Sequence, residues 1–315
     1  MSFLFASTRL GLRPLSQQPS LTRLYRTSSA SQKNMSSSIL FAAAVVAVGA
    51  YVLYTRNAAA AQAETAGGKP PFASFGFRTL TLTETKKVNH NVKHLQFDLG
   101  GPNTTSGLTV TSALLTITFP NGRWLPVLRP YTPINDVDDR GHLDLLVKQY
   151  PNGKQSSHLH SLQPGDRVTF FRIPGYSWKP NEQSHIGLVA GGQGITPCYQ
   201  LLRGILRNGN DNTKVTLVWG VNTEADLILK DELAALQKQY PGRLTTQYVV
   251  SKPSSKGPYK QGHVTSEVLK AAGVSVDDGV GKVFLSGPPA METALLARDG
   301  AFAELGYGKK EVHKF

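Results

Sequence analysis

The sequence predicts an antiparallel β-barrel followed by an α/β domain built on a parallel sheet, with a single transmembrane helix ahead of both. Three observations carry this prediction. Between residues 72 and 180, short alternating strands are punctuated by Pro, Gly and Asn turns. From His185 onward, short apolar runs alternate with helical stretches. Upstream, Ile39–Tyr54 reads ILFAAAVVAVGAYVLY, sixteen residues without a charge. The organisation is therefore a targeting segment at 1–36, an anchor at 37–56, a linker at 57–71 and two domains at 72–180 and 181–315.

The N-terminal segment distorts the charge balance. The chain has 315 residues, 34 of them Lys or Arg against 21 Asp or Glu, for a net +13. Six of the basic residues (Arg9, Arg13, Arg23, Arg26, Lys33, Arg56) precede the first acid, Glu64, so this segment carries +6 and the rest +7. Residues 1–36 are rich in Arg, Ser and Thr, lack acids and carry spaced apolar residues such as Leu4, Leu10, Leu15 and Leu24. That is the composition of a mitochondrial transit peptide; a disordered basic tail is the alternative. At 1.5 Å per residue the uncharged run reaches about 24 Å, and about 30 Å with Ser36–Ser38 and Thr55, enough to cross a bilayer. It has no polar face, which disfavours a buried core helix, while a cleaved sorting segment stays open. Lys33 and Arg56 flank it on both sides and leave its orientation undecided. Residues 57–70 are a small-residue linker.

The remainder is globular in composition: 40% hydrophobic and 17% charged residues exclude whole-chain disorder. One cysteine, Cys198, excludes a disulfide framework and a Cys-rich zinc or iron–sulfur site. His158-x-His160 has no third ligand placed nearby and reads as surface. Total charge fits nucleic acid but its placement does not, since no basic–aromatic stripe appears.

In the first domain, Thr79–Thr83, Val92–Leu99 and Leu114–Phe119 alternate, the last ending at the Pro120-Asn-Gly turn. His142–Tyr150 and Val168–Ile173 are further strands, bounded by Pro151-Asn-Gly and Gln-Pro-Gly-Asp166. Arg129-Pro-Tyr-Thr-Pro133 places an Arg that can fork onto a phosphate and, two residues on along the same face, a Tyr ring for a flat ligand. An edge strand ending in a turn would also satisfy it. Gly153-Lys-Gln-Ser156 puts glycine and hydroxyls at a helix start, a setting for an anion. Many such turns bind nothing, but twenty residues after the Arg motif it becomes a second arm on one diphosphate.

In the second domain, strands at His185–Ala190, Lys214–Gly220, Leu244–Val250 and Lys282–Leu285 alternate with helices at Cys198–Arg207, Leu227–Gln239, Val264–Ala272 and Pro289–Gly300. Ligands in such sheets lie at the strands' carboxyl ends, here Gly191–Pro197, Gly220–Asp226 and Ser286–Pro289. The loop Gly191-Gly-Gln-Gly-Ile-Thr-Pro197 lacks both the G-x-G-x-x-G fingerprint and a GK[ST], disfavouring a dinucleotide Rossmann site and NTP hydrolysis. Asp226 is placed to accept from ribose hydroxyls and repel a 2′-phosphate, or to cap a helix. Ser286-Gly-Pro-Pro289 is a rigid loop suited to close approach of a planar ring.

These four motifs, in this order and at these separations, resemble the ferredoxin–NADP reductase superfamily and, within it, the NADH–cytochrome b5 reductases, over roughly residues 75–315. With the predicted leader and anchor, the chain resembles the mitochondrial fungal form. The resemblance implies an FAD-binding barrel and an NADH-binding α/β domain. It implies FAD contacts at Arg129, Pro130, Tyr131, Thr132, Val147, Lys148, Tyr150, Gly153, Lys154, Gln155, Ser156 and Thr196. It implies NADH contacts at Gly191, Gly192, Gly194, Pro197, Asp226, Gly287, Pro288 and Pro289, with Thr196 and Ser286 beside the reacting rings. No metal is implied. Hydride would pass from NADH to FAD, and single electrons to an acidic acceptor such as cytochrome b5. A reductase for another acceptor, or an anchored module that has lost FAD, are the alternatives.

The departures are specific. Ser286 stands where the family usually has Cys, Gln193 where Thr is usual and Cys198 where Met is typical. The family's glycine before the flavin-proximal strand is not evident in Leu108–Ser112. Cys198 is expected to begin the helix under the Gly loop and to have no nucleophilic role.

Overall fold

The structure, a computed structural model, describes residues 69–254 and 257–315. The expected transit peptide, anchor and most of the linker lie outside the described residues. Among those described, no helix is long and apolar enough to cross a membrane.

The first half is one antiparallel sheet made of β1 (Phe77–Lys87), β2 (Val92–Asp98), β3 (Ala113–Thr118), β4 (Val127–Tyr131), β5 (His142–Lys148) and β6 (Arg167–Ile173), in the order β4-β3-β6-β1-β2-β5. The long β1 makes the sheet curl. Its Phe77–Thr81 half pairs with β6, its Leu82–Lys87 half with β2, and the register shifts between Leu82 and Glu84. A bulge there bends the strand and raises the local twist. Leu80, Leu82, Leu95, Phe97, Leu143, Leu145 and Phe170 close into one core. The end strands β4 and β5 are the sheet's two edges. Helix α1 (Lys154–Ser161) touches both. The expected barrel thus takes the form of a curled sheet with a helix over its opening. Pro130 has no N–H to give a ladder, which suits β4 as an edge strand.

The second half is a wholly parallel sheet. Its strands are β7 (His185–Gly191), β8 (Lys214–Val221), β9 (Leu244–Val250), β10 (Lys260–Gln261), β11 (Lys282–Ser286) and β12 (Val312–Lys314), in the order β10-β9-β8-β7-β11-β12. The strand order reverses at β7, so the crevice for a ligand opens at its carboxyl end. Ile186, Leu188 and Ala190 face one core and Val189 another, which explains the continuous apolar run.

The helices are α2 (Ile195–Arg207), α3 (Lys230–Gln239), α4 (Ser266–Ala271), α5 (Pro289–Leu296) and α6 (Ala301–Glu304). All four expected helices differ from the sequence expectation at their ends. The helix expected from Cys198 begins at Ile195, so Cys198 lies inside its first turn and does not begin it. The helix expected from Leu227 begins at Lys230, because Glu224–Asp226 forms a separate 3₁₀ turn boxed by Thr223 and Asp226. The helix expected from Val264 begins at Ser266, because the Thr265 hydroxyl accepts the Val268 N–H as its cap. The helix expected to reach Gly300 stops at Leu296, and α6 follows separately.

Several bonds join the two sheets within the single unit spanning Ala63–Phe315. Lys148 Nζ lies 2.7 Å from Asp226 Oδ1, and Asn89 Nδ2 donates to the Ala225 carbonyl at 2.7 Å. Gln193 Nε2 donates to the Leu146 carbonyl at 2.8 Å. On the other flank, Arg203 and Arg207 share the Asp136 carboxylate, and Gln200 donates to the Pro133 carbonyl.

Candidate cofactor cleft between the two sheets

A cavity of about 930 Å³ opens at the carboxyl end of β7, with walls from both sheets. From the antiparallel side come Arg129, Pro130, Tyr131, Thr132, Tyr150, Gly153, Lys154, Gln155 and Ser156. From the parallel side come Gly191, Gln193, Gly194, Thr196, Pro197 and the whole Ser286–Pro289 loop. Four of the residues singled out in the sequence lie off this wall: Val147, Lys148, Gly192 and Asp226. Val147 is fully buried in the curled sheet's core.

Each side presents groups able to meet an anion. Arg129 lies on the edge strand, exposed, and its guanidinium donates to the Leu128 carbonyl. Among the described residues no carboxylate pairs with it. Helix α1 starts after Gly153 without a side-chain cap, so its first N–H groups have no side-chain acceptor. Gln155 is committed elsewhere: its amide donates to Thr116 Oγ1 and its carbonyl accepts from Thr118, tying α1 to β3. Ser156 Oγ accepts from the Tyr150 N–H at 3.1 Å, which shapes the turn. Burial pushes the Tyr131 phenol far above its ordinary value, with a further rise from Tyr150 that Arg129 partly offsets. Tyr131 is therefore a neutral aromatic wall.

On the parallel side, Trp219 Nε1 donates to the Gly192 carbonyl at 2.9 Å, and Gly192 has a left-handed φ of 51°. The Thr196 hydroxyl donates to the Gln193 carbonyl at 3.3 Å. A Cβ on Gly194 would collide with the Ser286 carbonyl, and one on Gly191 with Met291 and Pro288. The two glycines leave space that the Ser286–Pro289 loop fills.

Asp226 is 7% exposed and fully engaged. It accepts from the Thr223 N–H and hydroxyl at 3.1 and 2.9 Å, and from Lys148 at 2.7 Å. Burial works against its charge, but Lys148 and Thr223 outweigh it and hold the carboxyl below its usual value.

Two family models match the two halves: an oxidoreductase FAD-binding domain over residues 79–175 and an oxidoreductase NAD-binding domain over 188–296. NADH-cytochrome b5 reductase 2 of Pyricularia oryzae is 40% identical over 294 residues, covering 88% of this chain and 89% of that protein. Its counterpart in Chaetomium globosum is 45% identical over 251 residues, covering 76% and 72%. The chain belongs to the NADH-cytochrome b5 reductase family. Among solved structures, the cytochrome b5 reductase domain of Ulva prolifera nitrate reductase matches with a TM-score of 0.70 and 29% identity, covering 78% of this chain and all of that one. The chain is thus an FAD- and NAD-dependent oxidoreductase.

As a b5 reductase-family cleft the cavity fits its cofactors: it offers a guanidinium with no carboxylate partner among the described residues, an uncapped helix start and a glycine notch. The wall also includes residues that the sequence reading passed over: Thr111, Pro174, Gly175 and Tyr176 before and after the β6 region, and His313, Lys314 and Phe315 at the chain's end. Pro174-Gly175 was a readable turn signal. Gly175 packs directly on the Thr111 backbone, where a Cβ would collide. Thr111 lies in Leu108–Ser112, where the family glycine is not evident, and it adopts a left-handed φ of 67°. Its hydroxyl donates to the Tyr176 carbonyl at 2.9 Å, a bond that helps hold a conformation costing a β-branched residue about 1–3 kcal/mol.

Cys198 is fully buried under the Gly loop, and burial pushes its thiol far above the ordinary value. The native protein will leave a thiol reagent unreacted at pH 8, and one thiol will titrate after unfolding in guanidinium. Rapid labelling of the native protein would contradict this placement.

The acid dependence of stability follows from the lowered groups. Asp144 is held low against its own burial by hydrogen bonds from His94 and Gln96 and by the nearby imidazoles of His94 and His142. Asp211 is similarly held low against burial by Trp178 and Thr213. His158, His160, His185 and His313 are also held below the ordinary imidazole value, first of all by burial. For each lowered group, stability is present above the unfolded pKa and is lost as pH falls toward the folded one. The urea midpoint should therefore decline in two steps, the first starting near pH 6.5 and the second below about pH 4. A midpoint that rose on acidification would overturn the assignment.

Proposed function

We propose that this chain takes a hydride from NADH onto FAD and passes single electrons to a haem acceptor of the cytochrome b5 type. The observation that carries this is the single cleft where the Arg129–Thr132 strand and the α1 start face the two loops at the β7 switch point. FAD, when bound, supplies the conversion between a two-electron hydride and single electrons. Arg129 and the α1 N-terminus hold its diphosphate. Tyr131 and Tyr150 would flank it, Thr132 and Ser156 would shape its bed, and Thr196 would border the ring. Gly191, Gly194, Pro197, Gly287, Pro288 and Pro289 would seat the nicotinamide half, with Ser286 at the start of that loop. No acid or base is required of the protein; its contribution is positioning.

The roles of Val147, Lys148, Gly192 and Asp226 are indirect in this proposal. Val147 supports the strand from the core. Lys148 and Asp226 join the domains. Trp219 holds Gly192 from beneath.

The relatives' names include cytochrome b5, and the +7 over residues 64–315 suits steering of an acidic partner. The Arg-rich, acid-free residues 1–36 and the uncharged run within 37–56 support delivery to mitochondria and a single anchor in the outer membrane or facing the intermembrane space. The test is direct. Purified protein should be yellow, bleach with NADH faster than with NADPH, and reduce cytochrome b5 more slowly as salt rises. A colourless folded protein, or equal rates with both nucleotides, would overturn the reading.

A further inference from the structure

The Ser286–Gly287 peptide is gripped at both ends. Its N–H donates to Glu292 Oε1 at 3.2 Å. Its carbonyl lies against Gly194, where the hydrogen in place of a side chain leaves it room. In a trans peptide the N–H and C=O point in opposite directions, so fixing one fixes the other. The Gly287 position also abuts the Gly191 backbone, with a Cβ there falling 3.3 Å from Gly191 Cα. The peptide is therefore a wedge between the two glycines of the opposite loop, and Glu292 sets its tilt from behind.

Glu292 is itself held. Its side chain is 10% exposed, and its second oxygen lies 2.7 Å from Lys314 Nζ. Lys314 comes from the C-terminal strand β12, in register with Leu285 of β11. Its side chain is 54% exposed and it lines the cleft beside Phe315. One carboxylate thus links the end of the chain to the loop at the cleft.

We propose that Glu292, held by Lys314, is a positioning residue for hydride transfer, acting through the Ser286–Gly287 peptide on the loop Ser286–Pro289. This rests on that loop being the nicotinamide seat. A charged acceptor on the Gly287 N–H resists rotation of the peptide more than a neutral one. Losing that acceptor leaves a part-buried N–H unpaired and frees the peptide plane, so Pro288 and Pro289 are no longer held against the cleft. A positional error near 1 Å is enough to slow a transfer that depends on ring stacking.

The test uses the full FAD-loaded chain in detergent and three variants: Glu292→Leu, Glu292→Gln and Lys314→Met. Two readouts are taken: hydrogen exchange of the Gly287 amide, and single-turnover flavin reduction by NADH. In Glu292→Leu, exchange should rise and reduction should slow on the order of tenfold each, with FAD content and reoxidation by acceptor unchanged. Glu292→Gln keeps an acceptor and should lose less than Glu292→Leu. Lys314→Met should fall between the unmodified protein and Glu292→Leu, and adding it to Glu292→Leu should cause no further loss. Unchanged exchange and reduction in Glu292→Leu would sink the proposal. Should Glu292→Leu fail to fold, the exposed Lys314 and the isosteric Gln decide it by the same readouts. If the unmodified protein is not reduced by NADH, the functional reading fails instead, while Gly287 exchange still reports whether Glu292 holds the loop.

Discussion

Replacing Gly194 with alanine should leave the protein yellow and all but stop its reduction by NADH. The methyl group would stand inside the Ser286 carbonyl and the Gly287 nitrogen. Gly194 has ordinary helical dihedrals, φ −60° and ψ −5°, so the effect is steric and owes nothing to backbone strain. Either the Ser286–Pro289 loop or the Gly191–Pro197 loop must move away. Overpacking of this kind costs about 1–3 kcal/mol of stability. The loop shift should matter more for rate, by roughly 100-fold, if both loops seat the nicotinamide as proposed. Arg129, Tyr131 and α1 lie on the other sheet, so FAD content should be unchanged. Stopped-flow absorbance at the flavin band measures both quantities at once. Reduction at the unmodified rate would mean that these two loops do not jointly seat the nucleotide.

Replacing Arg129 with leucine should give protein that is purified largely without FAD. Arg129 is exposed on an edge strand and no carboxylate among the described residues occupies it. Its removal therefore disturbs little of the fold. A forked guanidinium–phosphate contact is worth about 3 kcal/mol, or roughly 100-fold in FAD affinity. Lysine at 129 should recover only part of this, because it carries the charge without the planar fork. Quenching of added FAD fluorescence gives the affinity. Full FAD occupancy in Arg129→Leu would move the diphosphate away from this strand.

The strands and helices that were legible share one property: their pattern is local. The unbroken apolar run of β7 marks a strand buried on both faces, and the change from alternation to β/α repetition near His185 is visible without any contact. The motifs were legible for a related reason. Glycine and proline report backbone demands directly, and Arg129-Pro-Tyr announces a stiff, charged edge. By contrast, β12 spans only Val312–Lys314, and its sequence Val-His-Lys has no pattern of its own. It is a strand because Val283, Phe284 and Leu285 offer it a ladder.

By itself, then, the sequence determined the two-domain plan, the order of the cofactor motifs and the inertness expected of Cys198. Only the tertiary structure decided which side chains face the cleft and which are consumed in holding it. Asp226 reads in sequence as a ribose partner or a helix cap, and it is folded into a capping box and an ion pair with Lys148, 78 residues away. Gln155 is bonded back to β3, and Glu292 carries no motif until Lys314 and Gly287 arrive at its two oxygens. The physical reason is common to all three. A polar side chain is defined by the partners that compensate its burial, and those partners come from elements brought together only by folding.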